Sequence, residues 1–276
     1  MYDFHFGPPD KIEAEKDRYL LFIKRMMPRW VNSIPDSEYL ALHELATRFA
    51  DHPRPVFVET GIGASTLALL DIVLRTGGVL YSWDINGAKG AFLRSVINDT
   101  LVPHYGRPLH QHWRFVAYAS TAPLIGIQVL KELNERVDLA FLDSEHTLNN
   151  LLAETRLVAP RLNAGSLFVI DDANYDYVHT NIAYINMQRQ KLGLPPAPEP
   201  PDNRGATFRD AARACLVDAG LTLSDVPTSY ADAYDKDIFF AYFAADRAAM
   251  AEKGMEKMEA LGDRIAAWRI DGGAAG

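Results

Sequence analysis

Three carboxylates stand where two short apolar runs end: Asp143 closes LAFL, and Asp171 with Asp172 closes LFVI. Runs of that kind read as parallel strands, whose neighbours lie about 4.8 Å apart, so the three side chains converge at one sheet edge. Their mutual repulsion calls for a cation or for protons. Hard oxygen donors suit magnesium, manganese or calcium better than zinc, with magnesium the first choice. His146 lies in the loop just beyond Asp143, and an imidazole with an ordinary pKa of about 6.5 can accept a proton near neutrality. A helix-capping Asp and a surface His are the plain structural alternatives.

A second constellation lies in VFVETGIGASTLALL, which puts Glu59, Gly61 and Gly63 at the end of a buried strand and just before a helix starting near Ser65. In a doubly wound sheet ligands sit beyond the carboxyl ends of the strands, and glycines there let backbone come close to them. About 20 residues on, as the dinucleotide-fold spacing has it, Asp84 ends YSWD, where a carboxylate can accept from both ribose hydroxyls. Together these features describe an adenosine pocket. Thr66 stands where G-x-G-x-x-G has its third glycine, which disfavours a dinucleotide.

The run E-x-G-x-G-x-S-T with an acidic residue closing the second strand resembles class I S-adenosylmethionine methyltransferases, over roughly Val56 to Phe243. The resemblance implies that Glu59, Gly61, Gly63, Ser65, Thr66 and Asp84 line S-adenosylmethionine, with Asn86 close behind and Ala119 and Ser120 near the adenine. The pattern D-x-x-H followed by an acidic pair resembles the metal-dependent macrocin- and mycinamicin-type sugar O-methyltransferases and the cephalosporin-biosynthesis methyltransferase-like proteins. By that resemblance Asp143, Asp171 and Asp172 are metal ligands, Asp143 also borders the cofactor and is part of the catalytic pair, and His146 is the base. The family's acidic pair is frequently Glu-Asp, where this chain has Asp-Asp. The implied reaction is magnesium-dependent methyl transfer to a hydroxyl of a sugar or another small natural product. A catechol or phenol acceptor, a protein that binds cofactor without turnover, and a metal-dependent hydroxylase or hydrolase are the rivals.

The elements that must hold these residues follow from periodicity. Strands are expected at 56–59, 79–83, 115–117, 139–142 and 167–170, with helices at 65–75, 88–99, 122–135 and 148–161 between them. The fold class is α/β, a doubly wound, mostly parallel seven-stranded Rossmann-like sheet with extra helices at both ends. Residues 1–52 read as a helical extension, 53–244 as the cofactor-binding domain with a lid at 175–235, and 245–276 as a C-terminal helix. Met258, Leu261, Ile265 and Trp268 form the stripe of that last helix. Asp237 to Phe243, DIFFAYF, is expected to close the sheet. The lid holds the five-proline stretch 194–203 together with Tyr175, Tyr177, Arg204 and Tyr230, which could wall a polyhydroxylated acceptor. His179 is a weaker candidate base, and His104, His110 and His112 read as a loop before the third strand.

Composition bounds the rest. With 276 residues, 48% hydrophobic and 23% charged, the chain can bury one sizeable core. A net charge of -8 argues against nucleic acid as a partner. The single cysteine excludes an internal disulfide, and no apolar run reaches the roughly 20 residues of a membrane helix, so a cytoplasmic protein without a membrane partner is expected. The terminal helices offer surfaces for a homo-oligomer.

Overall fold

The computed structural model describes residues 16–32, 34, 36–117, 136–145, 147–174, 182–191, 193–196, 207–228 and 264–273. Two helices, α1 (Lys16–Met26) and α2 (Asp36–Thr47), precede the sheet. There follow β1 (Val56–Thr60), α3 (Ala64–Thr76), β2 (Val79–Asp84), α4 (Gly87–Asp99), the short α5 (Leu101–Tyr105) and α6 (Leu109–His112), and β3 (Trp113–Ala117). The second half holds β4 (Val137–Leu142), α7 (Leu148–Val158), β5 (Leu162–Ile170), α8 (Ile182–Lys191), α9 (Phe208–Asp218), β6 (Leu221–Asp225) and β7 (Ala266–Gly273).

The strands form one sheet in the order β3-β2-β1-β4-β5-β7-β6, parallel from β3 to β5, with β7 antiparallel to both its neighbours. This is the doubly wound sheet that the sequence implies. Side chains alternate across it, so Phe57, Leu139, Phe141, Leu167 and Val169 enter one core while Val58, Ala140, Leu142, Phe168 and Ile170 enter the other. Burial on both faces explains why these strands read as unbroken apolar runs. Leu20, Tyr39, Leu42 and Leu45 of α1 and α2 are fully buried in the first core beside α3, so the N-terminal helices are part of the packed body. β1 lies between β2 and β4, at the point where the winding reverses, and its carboxyl end opens on the crevice.

Three expectations change. Residues 266–273, read as helix, are β7: Ala266, Trp268 and Ile270 alternate into the second core, while Arg269 and Asp271 point out. The rest of that reading, 245–263, lies outside the described residues, as does Asp237 to Phe243. Among the described residues the two strands beyond β5 are β6, inside the stretch read as a lid, and β7. His104, His110 and His112 sit on α5 and α6 rather than in a loop, and buried His112 bonds the Gly78 carbonyl at 2.7 Å through Nδ1. The helix expected at 122–135 lies outside the described residues. Among the described residues no helix is long and apolar enough to cross a membrane.

Trp268 is 1% exposed and packs on Phe168 with ring centroids 6.2 Å apart. Trp268→Ala should cost roughly 3–5 kcal/mol in a denaturant melt, the usual loss for a buried aromatic. A loss within experimental error would contradict an inner strand here.

Candidate functional site

Glu59, next to last in β1, is fully buried, and three hydroxyls converge on its carboxylate. Ser65 Oγ donates to Oε1 at 2.7 Å, and Thr66 Oγ1 and Ser82 Oγ donate to Oε2 at 2.8 and 3.0 Å. Ser82 is held in turn by Trp113 Nε1 of β3 at 2.9 Å. Burial lifts the Glu59 pKa to about 8; the three hydroxyls oppose that rise and the nearby Asp143 charge adds to it. Glu59, Ser65 and Thr66 thus bond one another and fix the start of α3.

The turn between β1 and α3 needs glycine because of neighbouring backbone. Gly61 has φ +77°, and a Cβ there would stand 1.7 Å from the Asp143 carbonyl oxygen. A Cβ at Gly63 would meet the Val31 carbonyl oxygen at 2.9 Å. The carboxylate of Asp84, at the end of β2, turns toward this loop: Oδ2 accepts from Ile62 N–H at 3.0 Å and Oδ1 from Asn86 N–H at 2.7 Å. Lys89 of α4 bridges the two sides, with Nζ 2.9 Å from the Ile62 carbonyl oxygen and 3.5 Å from Asp84 Oδ2. Asn86 caps α4, its side chain accepting from the backbone N–H groups of Ala88 and Lys89.

A cleft of about 270 Å³, open mouth included, lies at the ends of β4 and β5 and is lined by Asp143, Glu145, Glu154, Asp171, Asp172 and Phe208 among others. Backbone bonds from Asp143 N–H to the Thr60 carbonyl and from Asp171 N–H to the Leu142 carbonyl continue the ladders and set both acids at the sheet edge. Buried Glu154 accepts from Thr60 Oγ1 at 2.8 Å and Ser144 Oγ at 2.7 Å, so α7 anchors the loop after β4. Burial pushes the Glu154 pKa to about 7, against those hydrogen bonds. Arg189 of α8 pairs with Glu145 and donates to the Pro195 carbonyl, tying that helix to the same loop.

The acidic pair has a cation from within the chain. Arg264 Nη2 lies 2.6 Å from Asp172 Oδ1 and 3.6 Å from Asp171 Oδ2, and its Nε lies 3.2 Å from Glu38 Oε1 of α2. Burial, ahead of the charges of Asp172 and Asp143, lifts the Glu38 pKa to about 7 against the pull of Arg264 and a bond to Asp171. Asp171 is held well above the carboxylate range by burial first, then by Glu38, Asp172 and Asp143, with Arg264 opposing. Asp172 has φ +51°, a strained value for a residue with a Cβ. Asp143, Asp171 and Asp172 therefore share a cleft, as expected. As placed, however, two of them and Glu38 surround a guanidinium, and among the described residues no group of three or more His, Cys, Asp or Glu is arranged to hold a metal ion. The set does not fit a divalent cation.

Residues 58–173 match the family model described as a methyltransferase domain. The match runs from β1 to just past β5 and covers less than half of the chain. Over 62 residues the chain is 42% identical to rhamnosyl O-methyltransferases of Mycobacterium bovis and Mycobacterium tuberculosis, a match covering 22% of this chain and 25% of each relative. The chain thus spans about a quarter of the length of the curated relatives it matches. Among solved structures, an SAH-bound Podospora anserina methyltransferase is 16% identical with a TM-score of 0.44, over 82% of this chain and 94% of that one. A TDP-rhamnose 3'-O-methyltransferase of calicheamicin biosynthesis is 18% identical with a TM-score of 0.42, over 74% and 94%.

The sheet edge thus gathers Glu59, Gly61, Gly63, Ser65, Thr66, Asp84 and Asn86 around one crevice and the three aspartates around the adjoining cleft. His146, Ala119, Ser120, Tyr175, Tyr177, His179, Arg204 and Tyr230 lie outside the described residues. Sequence reasoning missed Glu38, Lys89, Glu154, Arg189 and Arg264. Lys89 and Glu154 carried a signal, since they stand in the first turn of α4 and about two turns into α7, each helix following a strand end at the crevice. The other three reach the domain from distant segments.

The raised pKa of Glu59 has a definite sign in stability. The native state holds a proton that the unfolded chain releases at about 4.5, so this contribution is complete below 4.5 and lost as pH rises through about 8. The melting temperature of wild type should therefore fall relative to Glu59→Gln between pH 4.5 and 8. A constant difference across that window would contradict a protonated Glu59.

Proposed function

We propose that the chain transfers a methyl group from S-adenosylmethionine to a hydroxyl of a sugar-bearing small molecule. The observation that carries this reading is the crevice at the ends of β1 and β2, where the turn at Gly61 and Gly63 adjoins the buried Asp84 carboxylate. That combination fits a nucleoside. The tight turn brings the backbone of residues 61–63 beside Asp84, which keeps lone pairs for the ribose hydroxyls beyond the two N–H bonds it accepts. When bound, S-adenosylmethionine supplies a methyl group made electrophilic by its sulfonium.

The chain's own part is to bind, orient and take a proton. Glu59 and Lys89 hold the loop and Asp84 in one geometry, which lowers the ordering cost of binding. The cleft next to the Gly61 turn, lined by Asp143, Glu154 and Asp171, offers acceptors to a polyhydroxylated substrate. Holding that hydroxyl in line with the methyl group supplies the proximity term. His146, three residues after Asp143, is the proposed base. The rhamnosyl O-methyltransferase relatives support a sugar acceptor.

Transfer of labelled methyl from S-adenosylmethionine to rhamnose-bearing acceptors tests this reading. His146→Ala should lower kcat by about 10²–10⁴-fold, the usual contribution of a general base, while S-adenosylhomocysteine affinity stays unchanged. Asp84→Ala should lose that affinity. No transfer to sugar, catechol or phenol acceptors by folded wild type would refute the proposal.

A further inference from the structure

The antiparallel β7 explains how a cation reaches the acidic pair. In a parallel sheet every strand ends at the crevice edge, so only a strand running the other way begins there. β7 pairs with β5 through Ile170↔Ala266, and one bond further on Ala173 N–H donates to the Arg264 carbonyl at 2.7 Å. Backbone pairing therefore fixes Arg264 beside Asp171 and Asp172. Its side chain is 13% exposed and those of Glu38, Asp171 and Asp172 are 2–5% exposed, so the ion pairs sit largely away from solvent.

We infer that Arg264 takes the place of a divalent cation in this site, so that Glu38, Asp171 and Asp172 are organised by a guanidinium supplied by the chain itself. The inference stands on three contacts of 2.6, 3.2 and 3.6 Å from one side chain to three carboxylates, joined to a backbone register that holds it there. A hexahydrate-derived magnesium site needs near-octahedral oxygens at about 2.0–2.1 Å from one centre, and the guanidinium lies among those oxygens and repels a second cation. Glu38 comes from α2, outside the stretch matched by the family model, so that N-terminal helix completes the site. Arg264 is a positioning residue: it sets the two aspartates that line the cleft. The inference rests on the methyl-transfer reading only for what the cleft does, not for what holds it.

The test is manganese binding followed by electron paramagnetic resonance, with melting temperatures in magnesium, manganese and chelator, on full-length wild type, Arg264→Gln and Arg264→Lys. Wild type and Arg264→Lys should leave the free manganese signal and the melting temperature unchanged. Arg264→Gln should bind manganese at least about tenfold more tightly than wild type and melt higher with it. Saturable manganese binding by wild type that is lost in Asp171→Asn would overturn the inference, as would a folded Arg264→Gln that binds no metal. If Arg264→Gln fails to fold, the wild-type and Arg264→Lys measurements decide alone. An S-adenosylhomocysteine melt on the same wild-type sample separates failure of the methyl-transfer reading from failure of this one.

Discussion

A carboxylate with no exposure to water must be matched by donors or give up its charge, and Glu59 meets that demand in the way that organises the site. Its donors come from three places: the first turn of α3, the middle of β2 and, through Ser82, the Trp113 indole of β3. Satisfying one buried group therefore fixes the direction in which the chain leaves β1, the register of β2 and the packing of the sheet edge together. The crevice loop takes its shape from this network before any ligand is present.

The same logic passes from strand to strand along the carboxyl edge. Gly61 lets the Asp143 carbonyl come close, Thr60 and Ser144 share Glu154, and the loop after β4 is thereby placed against the loop after β1. At β5 the burden of charge is larger. Glu38, Asp171 and Asp172 are all nearly enclosed, and Arg264 together with retained protons balances them. Removing one partner of such a group leaves buried charge uncompensated, which is why these residues act as a unit.

How much of this was legible depends on how local the cause is. The strands from β1 to β5 are buried on both faces, so their apolar runs and terminal carboxylates stand out in the sequence. The crevice residues from Glu59 to Asp84 followed from the same signal. β7 did not: its Trp268 also fits a helical stripe with Met258, Leu261 and Ile265, and a short apolar segment cannot be assigned by period alone. Its strand character comes from pairing with β5 and β6, distant in sequence. Glycines 61 and 63 were foreseen as a ligand approach, yet the groups a Cβ would strike are the chain's own carbonyls. Arg264 and Glu38 had no local mark at all, because only the antiparallel insertion of β7 and the docking of α2 bring them to the aspartates.

The crevice between β1 and β2 is the proposed seat of an adenosyl ligand, and hydrogen–deuterium exchange of the full chain with and without S-adenosylhomocysteine reads that by position. Slowed exchange is expected chiefly at the amides of residues 59–66 and 82–89. Binding that protects other segments and leaves those two unchanged, or no protection anywhere at saturating ligand, would contradict it.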